Sequence, residues 1–242
     1  MEIKNKLSIL IPCYNEEKTI ILLLDRIFNV LLICNTDKEI IIVDDASTDQ
    51  TYSLLTAYLS SHSDLPIQIY QQKQNSGKGS CLHIAASKAG GNIIVIQDAD
   101  LEYDPQDYNR LLKPILEGYA DIVFGSRFMG SGPHRVLFFF HTIGNKVLTF
   151  FSNLFTQINL TDMETGYKMF RADILNKIRL EESRFGFEPE FTAKISRIKG
   201  IRIYEVGISY FGRTYEDGKK INWKDGIHSL YCILKYNIFK RR

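Results

Sequence analysis

Short apolar runs alternate with helical stripes along this chain. Leu7-Ser8-Ile9-Leu10-Ile11 reads as a first strand that closes at Pro12. Ile20, Leu23, Leu24, Ile27 and Leu31 then recur at helical spacing, with Asn15 expected to cap that helix and Glu16 and Glu17 to fill its first turn. Glu39-Ile40-Ile41-Ile42-Val43 predicts a second strand. Ser47, Thr48 or Asp49 stands ready to cap a helix over 50–61. Ile67-Gln68-Ile69-Tyr70 is a short third strand, and Asn75-Ser76-Gly77-Lys78-Gly79 leads into a helix through Ala89. Four β-branched residues, Ile93 to Ile96, mark a buried fourth strand that runs into Asp98 and Asp100. A helix over 105–117 and a strand at Asp121-Ile122-Val123-Phe124 follow. Strands alternating with helices predict an α/β fold, a mainly parallel Rossmann-like sheet with helices on both faces.

In such sheets ligands gather at the carboxyl ends of the strands. Tyr14, Asn15 and Glu16 follow strand one, Asp44 and Asp45 strand two, Asp98 and Asp100 strand four, and Ser126 and Arg127 strand five. A lone Asp-x-Asp is also an ordinary strand-to-loop turn. Four polar clusters at one edge point instead to a binding site. On an extended backbone Asp98 and Asp100 would leave the strand on one side, and such hard oxygen ligands suit Mg²⁺ or Mn²⁺. Gly77-Lys78-Gly79 lacks the glycine spacing and Lys-Ser/Thr pair of a P-loop, and no Gly-x-Gly-x-x-Gly is present.

Composition narrows the class. The net charge of +2 excludes wholesale nucleic-acid binding. Cys13, Cys34, Cys81 and Cys232 are scattered, with no pair at metal-ligand spacing, as expected of small core residues in a reducing compartment. No apolar run approaches the roughly 20 residues needed to span a bilayer.

Pro12-Cys13-Tyr14-Asn15-Glu16, Val43-Asp44-Asp45-Ala46-Ser47-Thr48-Asp49, Asn75-Ser76-Gly77-Lys78-Gly79, Asp98-Ala99-Asp100 and Gly125-Ser126-Arg127 occur in the order seen in glycosyltransferase family 2. Thr161-Asp162-Met163-Glu164-Thr165-Gly166-Tyr167-Lys168 and Phe211-Gly212-Arg213-Thr214-Tyr215 extend the match over nearly the whole chain. It most resembles the branch of dolichol-phosphate mannosyltransferases and polyprenyl-phosphate glycosyltransferases. That resemblance implies a GT-A fold, a UDP- or GDP-sugar donor, a divalent metal and inversion at the anomeric carbon. It implies one domain over 1–242: a nucleotide-sugar half (1–127), an acceptor and membrane-facing half (128–215) and a basic amphipathic helical extension (216–242).

The resemblance also implies roles. Asp98 and Asp100 would hold the metal against the diphosphate, with Asp98 nearer the ribose. Pro12, Tyr14, Glu16, Asp45 and Lys78 would line the nucleotide side. Arg213, Lys219 and Lys220 would add positive charge from a loop hinged at Gly218, although Lys219-Lys220 also reads as a solvated charge pair. Arg127 would grip an acceptor phosphate, with His134, Arg135 and His141 nearby. A phosphate acceptor needs positioning more than deprotonation, whereas a hydroxyl needs a base. Asp162 is the matched candidate in either case, and Glu188 or Glu190 a second one.

Val136-Leu137-Phe138-Phe139-Phe140 precedes an amphipathic helix. Ile143, Val147, Phe150, Phe151, Leu154, Phe155 and Ile158 lie on its apolar stripe, opposite Asn145, Lys146, Thr149, Ser152, Asn153 and Thr156. A membrane-bound acceptor would leave this segment exposed; a soluble one would leave it buried. From Glu216 to Arg242 seven Lys/Arg face three Asp/Glu, a balance suited to anionic lipid or to a solvated tail. The expectation is therefore peripheral contact with the cytoplasmic face of a membrane, directly or through a separate membrane protein. Three other readings stand beside it: a saccharide acceptor, a non-catalytic nucleotide-sugar-binding protein, and a sugar-nucleotidyltransferase. The last lacks its glycine-rich, arginine-containing loop after strand one.

Overall fold

The computed structural model describes residues 4–130, 135–136, 139–213 and 223–240. Seven strands, β1 (Lys6–Cys13), β2 (Asp37–Asp44), β3 (Ile67–Gln71), β4 (Ile93–Ile96), β5 (Ile122–Ser126), β6 (Lys168–Arg171) and β7 (Ile203–Gly207), form one sheet in the order β3-β2-β1-β4-β6-β5-β7. All run parallel except β6, which lies antiparallel between β4 and β5. Parallel strands buried on both faces require near-continuous apolar runs, and Ile40 to Val43 and Ile93 to Ile96 are each almost inaccessible.

The helices are α1 (Ile20–Asn29), α2 (Thr51–Ser61), α3 (Lys78–Lys88), α4 (Tyr108–Leu116), α5 (Phe139–Thr156), α6 (Phe187–Ile195) and α7 (Trp223–Leu234). Alternation along each strand divides the core between the two faces. Ile9 and Ile11 pack with Leu23 and Ile27 of α1 and Leu111 of α4. Leu10, Ile41 and Ile94 pack with Leu82 of α3, Phe191 of α6 and Ile233 of α7.

Two local expectations are corrected. Asn15 does not cap α1, which starts five residues later. Asn15 sits at φ 50°, and its side-chain oxygen accepts from Thr48 N (2.8 Å) while its own N–H donates to Ser47 Oγ (2.9 Å), so it joins the ends of β1 and β2. Glu17 likewise serves the next helix, accepting from Gln50 N (2.9 Å). Asp49 does accept from Thr51 N (2.9 Å) at the start of α2.

The second correction concerns α5. Its fully buried residues are the polar Thr149 and Ser152, whereas Phe139 (72%), Phe140 (83%), Phe150 (62%) and Leu154 (58%) are exposed. Thr149 Oγ1 accepts from Met163 N (3.2 Å), and Asn153 binds both the N–H and the carbonyl of Leu160. These bonds turn the polar side inward. Leu148, Phe151 and Phe155 still reach the core, so the expected apolar stripe is split between core and surface. Leu137 and Phe138 lie outside the described residues. Among the described residues no helix is long and apolar enough to cross a membrane.

Candidate active site

An antiparallel strand presents its beginning where parallel neighbours present their ends. The segment ahead of β6, Asp162 to Tyr167, therefore joins the carboxyl edge of the sheet. So does the segment beyond β7 that carries Arg213, tied down where Phe211 N donates to Glu102 O (2.8 Å).

β4 ends at Ile96, so Asp98 and Asp100 leave the strand through a turn with Leu101 at φ 63°, not along an extended backbone as expected. Each carboxylate faces a cationic side chain. Asp98 meets Lys78 (2.7 Å), which also reaches Glu188 (3.0 Å) at the start of α6. Burial opposes the charge on Lys78, but Asp98 and Glu188 outweigh it and raise its pKa. Asp100 meets Arg213 (2.9 Å), whose guanidinium also contacts Glu16 (3.2 Å) and whose N–H donates to Glu102 (2.8 Å). Arg213 Nε is buried with no hydrogen-bond acceptor among the described residues. Burial, then Asp98 and Glu102, push the Asp100 carboxyl up to about 7. Asp100, Leu101, Asp104, Gln106, Phe211 and Arg213, with Arg26, line a groove of about 590 Å³.

Arg127 and Asp162 close on each other across the site. Arg127 Nε and Nη2 each donate to Asp162 at 2.7 Å, and Arg127 N adds a third bond (3.0 Å). Glu205 of β7 accepts from the N–H groups of Thr161 (2.9 Å) and Asp162 (3.2 Å), fixing this loop from behind. The guanidinium also lies over the Tyr210 ring, 5.4 Å from its centre.

The nucleotide-side residues divide. Pro12 and Tyr14 sit half-buried at the end of β1, and Glu16 is buried on Arg213. Asp45 accepts from Gln72 Nε2 (2.7 Å), Ser76 N (2.8 Å) and Gly77 N (2.7 Å), holding the loop that delivers Lys78. Asp44 closes its own turn onto Ser47. Glu190 is occupied by Glu181 N, Glu182 N and Lys194 (2.7, 2.7 and 2.6 Å), so of the glutamate pair only Glu188 reaches Lys78, the partner of Asp98. Arg135 is bound to the carbonyls of Tyr210 and Gly212. His134, Lys219, Lys220 and the hinge at Gly218 lie outside the described residues.

Four contributors escaped sequence reasoning. Glu102 and Glu205 carried no signal beyond charge. Glu164 and Lys168 lay inside the Thr161–Lys168 match without a role. Glu164 Oε1 is buried with no hydrogen-bond partner among the described residues; burial, then the Glu188 charge, push its carboxyl up to about 7. Lys168 donates to the carbonyls of Met163 and Thr165, and burial pulls it down to about 8. Gly166 is a further case. A Cβ there would run into Asp98 Oδ2 and stand 3.1 Å from the Tyr103 ring, whose hydroxyl accepts from Gly166 N (2.9 Å). Gly166→Ala is expected to displace the Asp98 carboxylate and lower stability by about 1–3 kcal/mol, as overpacking a buried position does. Thermal unfolding of both proteins checks it; equal midpoints would refute the close-packing argument.

Comparison with known proteins supplies the family and the fold. The glycosyl transferase family 2 profile matches residues 8–179. The chain is 29% identical over 221 residues to an undecaprenyl-phosphate mannosyltransferase of Micrococcus luteus, covering 87% of this chain and 85% of that protein. It is 26% identical over 234 residues to a dolichol-phosphate mannosyltransferase of Pyrococcus furiosus, covering 96% of this chain. The chain spans 64% of that protein and 60% of a dodecaprenyl-phosphate galacturonate synthase of Rhizobium johnstonii, to which it is 24% identical. In fold it is similar to a glucosyl-3-phosphoglycerate synthase of Mycobacterium tuberculosis crystallised with Mn²⁺, UDP and glucosyl-3-phosphoglycerate. That match has a TM-score of 0.73 at 18% identity and covers 96% of this chain and 80% of the other. With the family profile spanning most of the sheet and its acidic edge, the chain has the GT-A fold and belongs to glycosyl transferase family 2.

Proposed function

We propose that the chain transfers a sugar, with inversion, from a UDP- or GDP-sugar to a polyprenyl phosphate at a membrane surface. The observation that carries the acceptor is the outward apolar face of α5. Phe139, Phe140, Ile143, Val147, Phe150 and Leu154 are exposed on a helix whose buried Thr149 binds the loop next to Asp162. Ile227, Tyr231, Ile238 and Phe239, on and after α7, expose further apolar area. An interfacial helix carries such a profile. It would bring a lipid's phosphate to the groove while the prenyl chain stays in the bilayer, on the cytoplasmic face where the donor is dissolved.

The acidic edge fits a divalent cation. Asp98 and Asp100 already face cationic groups, and their carboxylates are hard donors suited to Mg²⁺ or Mn²⁺. When bound there, the metal would neutralise charge building on the departing diphosphate. Pro12, Tyr14, Glu16 and Asp45 would receive the base and ribose. Lys78 would hold Asp98 in place, and the Arg213 guanidinium, set among Asp100, Glu16 and Glu102, would add positive charge beside the diphosphate. Lys219 and Lys220 would add charge as that segment closes. Glu164, with its unpartnered oxygen, would take a sugar hydroxyl.

A phosphate acceptor is already an ionised nucleophile, so the site needs a positive group more than a base. Arg127 is that group, and Asp162 orients its planar fork. Because both Asp162 oxygens accept from Arg127, this carboxylate reads as an orienter and not as a proton acceptor.

The test is a transfer assay with purified protein, Mn²⁺ or Mg²⁺, a panel of UDP- and GDP-sugars and a short-chain polyprenyl phosphate, read by mass spectrometry. A metal-dependent gain of one sugar on the lipid, absent in Asp100→Ala, is the expected result. Nucleotide release only when an oligosaccharide is supplied would replace the lipid acceptor with a saccharide.

A further inference from the structure

A second group of side chains suited to a metal, sharing no residue with Asp98 and Asp100, lies where α7 packs against the segment ahead of α6. His228 and Cys232 are one turn apart on α7 and project to the same side. Glu182 meets them from the segment before α6. His228 Nε2 lies 3.4 Å from Glu182 Oε2 and 3.5 Å from Cys232 Sγ, and the three donor atoms all fall within 4.8 Å of one another.

The first separation is longer than a well-formed N–H···O hydrogen bond, which spans about 2.7–3.2 Å. Both separations match a tetrahedral zinc site. Bonds of about 2.0–2.1 Å to nitrogen and oxygen and about 2.3 Å to sulfur make the N···O edge of the tetrahedron about 3.3 Å and the N···S edge about 3.5 Å. The surroundings support the same arrangement. Glu182 Oε1 is held by Lys235 Nζ (2.6 Å) and Tyr236 OH (2.7 Å), which leaves Oε2 facing the imidazole. At Gly186 a Cβ would stand 2.7 Å from Cys232 Sγ and 2.8 Å from Glu182 Oε2, so any larger residue would invade the same space. Glu182 and Cys232 are buried, while the half-exposed His228 gives a metal and a water a way in.

We propose that Glu182, His228 and Cys232 bind Zn²⁺, with water as the fourth ligand. The mixed imidazole, thiolate and carboxylate set favours Zn²⁺ over Mg²⁺ or Mn²⁺, which prefer oxygen alone. As the Zn–S bond forms, the thiol proton leaves to solvent. The ion pins α7, which begins ten residues beyond Arg213, to the segment that leads into Glu188. This site stands on its own geometry and does not depend on the donor or acceptor proposed above.

The experiment is a Co²⁺ titration of the metal-free full chain, followed by absorption. The wild type is expected to develop a thiolate-to-cobalt charge-transfer band with tetrahedral d–d bands, saturating at one equivalent and displaced by Zn²⁺. Asp100→Ala is expected to keep the band, which separates this site from the groove. Cys232→Ser is expected to lose it with an unchanged circular dichroism spectrum. His228→Gln, at a half-exposed position, is expected to weaken it and covers the case in which Cys232→Ser does not fold. No band in the wild type, a band surviving in folded Cys232→Ser, or a band lost in Asp100→Ala would each overturn the proposal.

Discussion

Asp162→Asn and Arg127→Ala are each expected to lower stability by roughly 3–5 kcal/mol, as removal of one partner from a buried ion pair does. Asp162 is 0% exposed and Arg127 10%, so water only partly replaces the missing partner. The remaining charge would sit among Tyr103, Tyr210 and Phe128 with its opposite gone. In a domain of this size the loss corresponds to roughly 6–20 °C in midpoint temperature. Thermal unfolding followed by circular dichroism measures it. A double Arg127→Leu, Asp162→Leu variant separates structure from chemistry. Replacing a whole buried pair with apolar side chains is often close to neutral. The double variant is therefore expected to recover much of the stability and none of the transfer activity. An Asp162→Asn protein within about 1 kcal/mol of wild type would show that the pair is not buried as described.

Asp100→Asn is expected to behave in the opposite way: transfer falls at least 10²–10³-fold, the scale for losing one electrostatic contributor to a transition state, while the metal-free protein gains stability at pH 8. The reason is the raised carboxyl. Burial and the neighbouring Asp98 and Glu102 hold the folded-state pKa near 7, above its ordinary value, with Arg213 opposing them. Between those two values the folded chain keeps a proton that the unfolded chain has lost. Raising the pH through this window therefore works against the folded state, and the contribution is fully present only below the unfolded value. Wild type without metal should lose stability between about pH 5 and 7, partly through Glu164, whose carboxyl is also raised. The slope should be shallower in Asp100→Asn. A divalent cation must displace the same proton, so Mn²⁺ should bind wild type more tightly at pH 8 than at pH 6. Denaturant titrations at both pH values, with and without Mn²⁺, read out all of this. A steeper slope in Asp100→Asn would assign the titration to another group.

The two carboxylates differ because of where the chain brings them, and little of that is local. Strands β1 to β5 and helices α1 to α4 were legible because their patterns are short-range: β-branched runs at Ile40 to Val43 and Ile93 to Ile96, and helical spacing at Ile20, Leu23, Leu24 and Ile27. The placement of Tyr14, Asp45, Asp98 and Arg127 at one edge followed from strand direction alone. Lys168 to Arg171 carries no comparable pattern, since its place between β4 and β5 depends on partners more than forty residues away. That antiparallel insertion sets Asp162, Glu164 and Gly166 beside Asp98 and Arg127. The return of the chain after β7 sets Arg213 against Asp100. Asn15 reads locally as a helix cap, yet Ser47 and Thr48 capture it because β1 and β2 end side by side. Periodicity shows that α5 is two-sided, but only the loop at Leu160 to Met163 decides which side faces in. Its N–H and carbonyl groups need partners, Thr149 and Asn153 supply them, and Phe139, Phe140 and Phe150 are turned outward while Phe151 and Phe155 stay against the core.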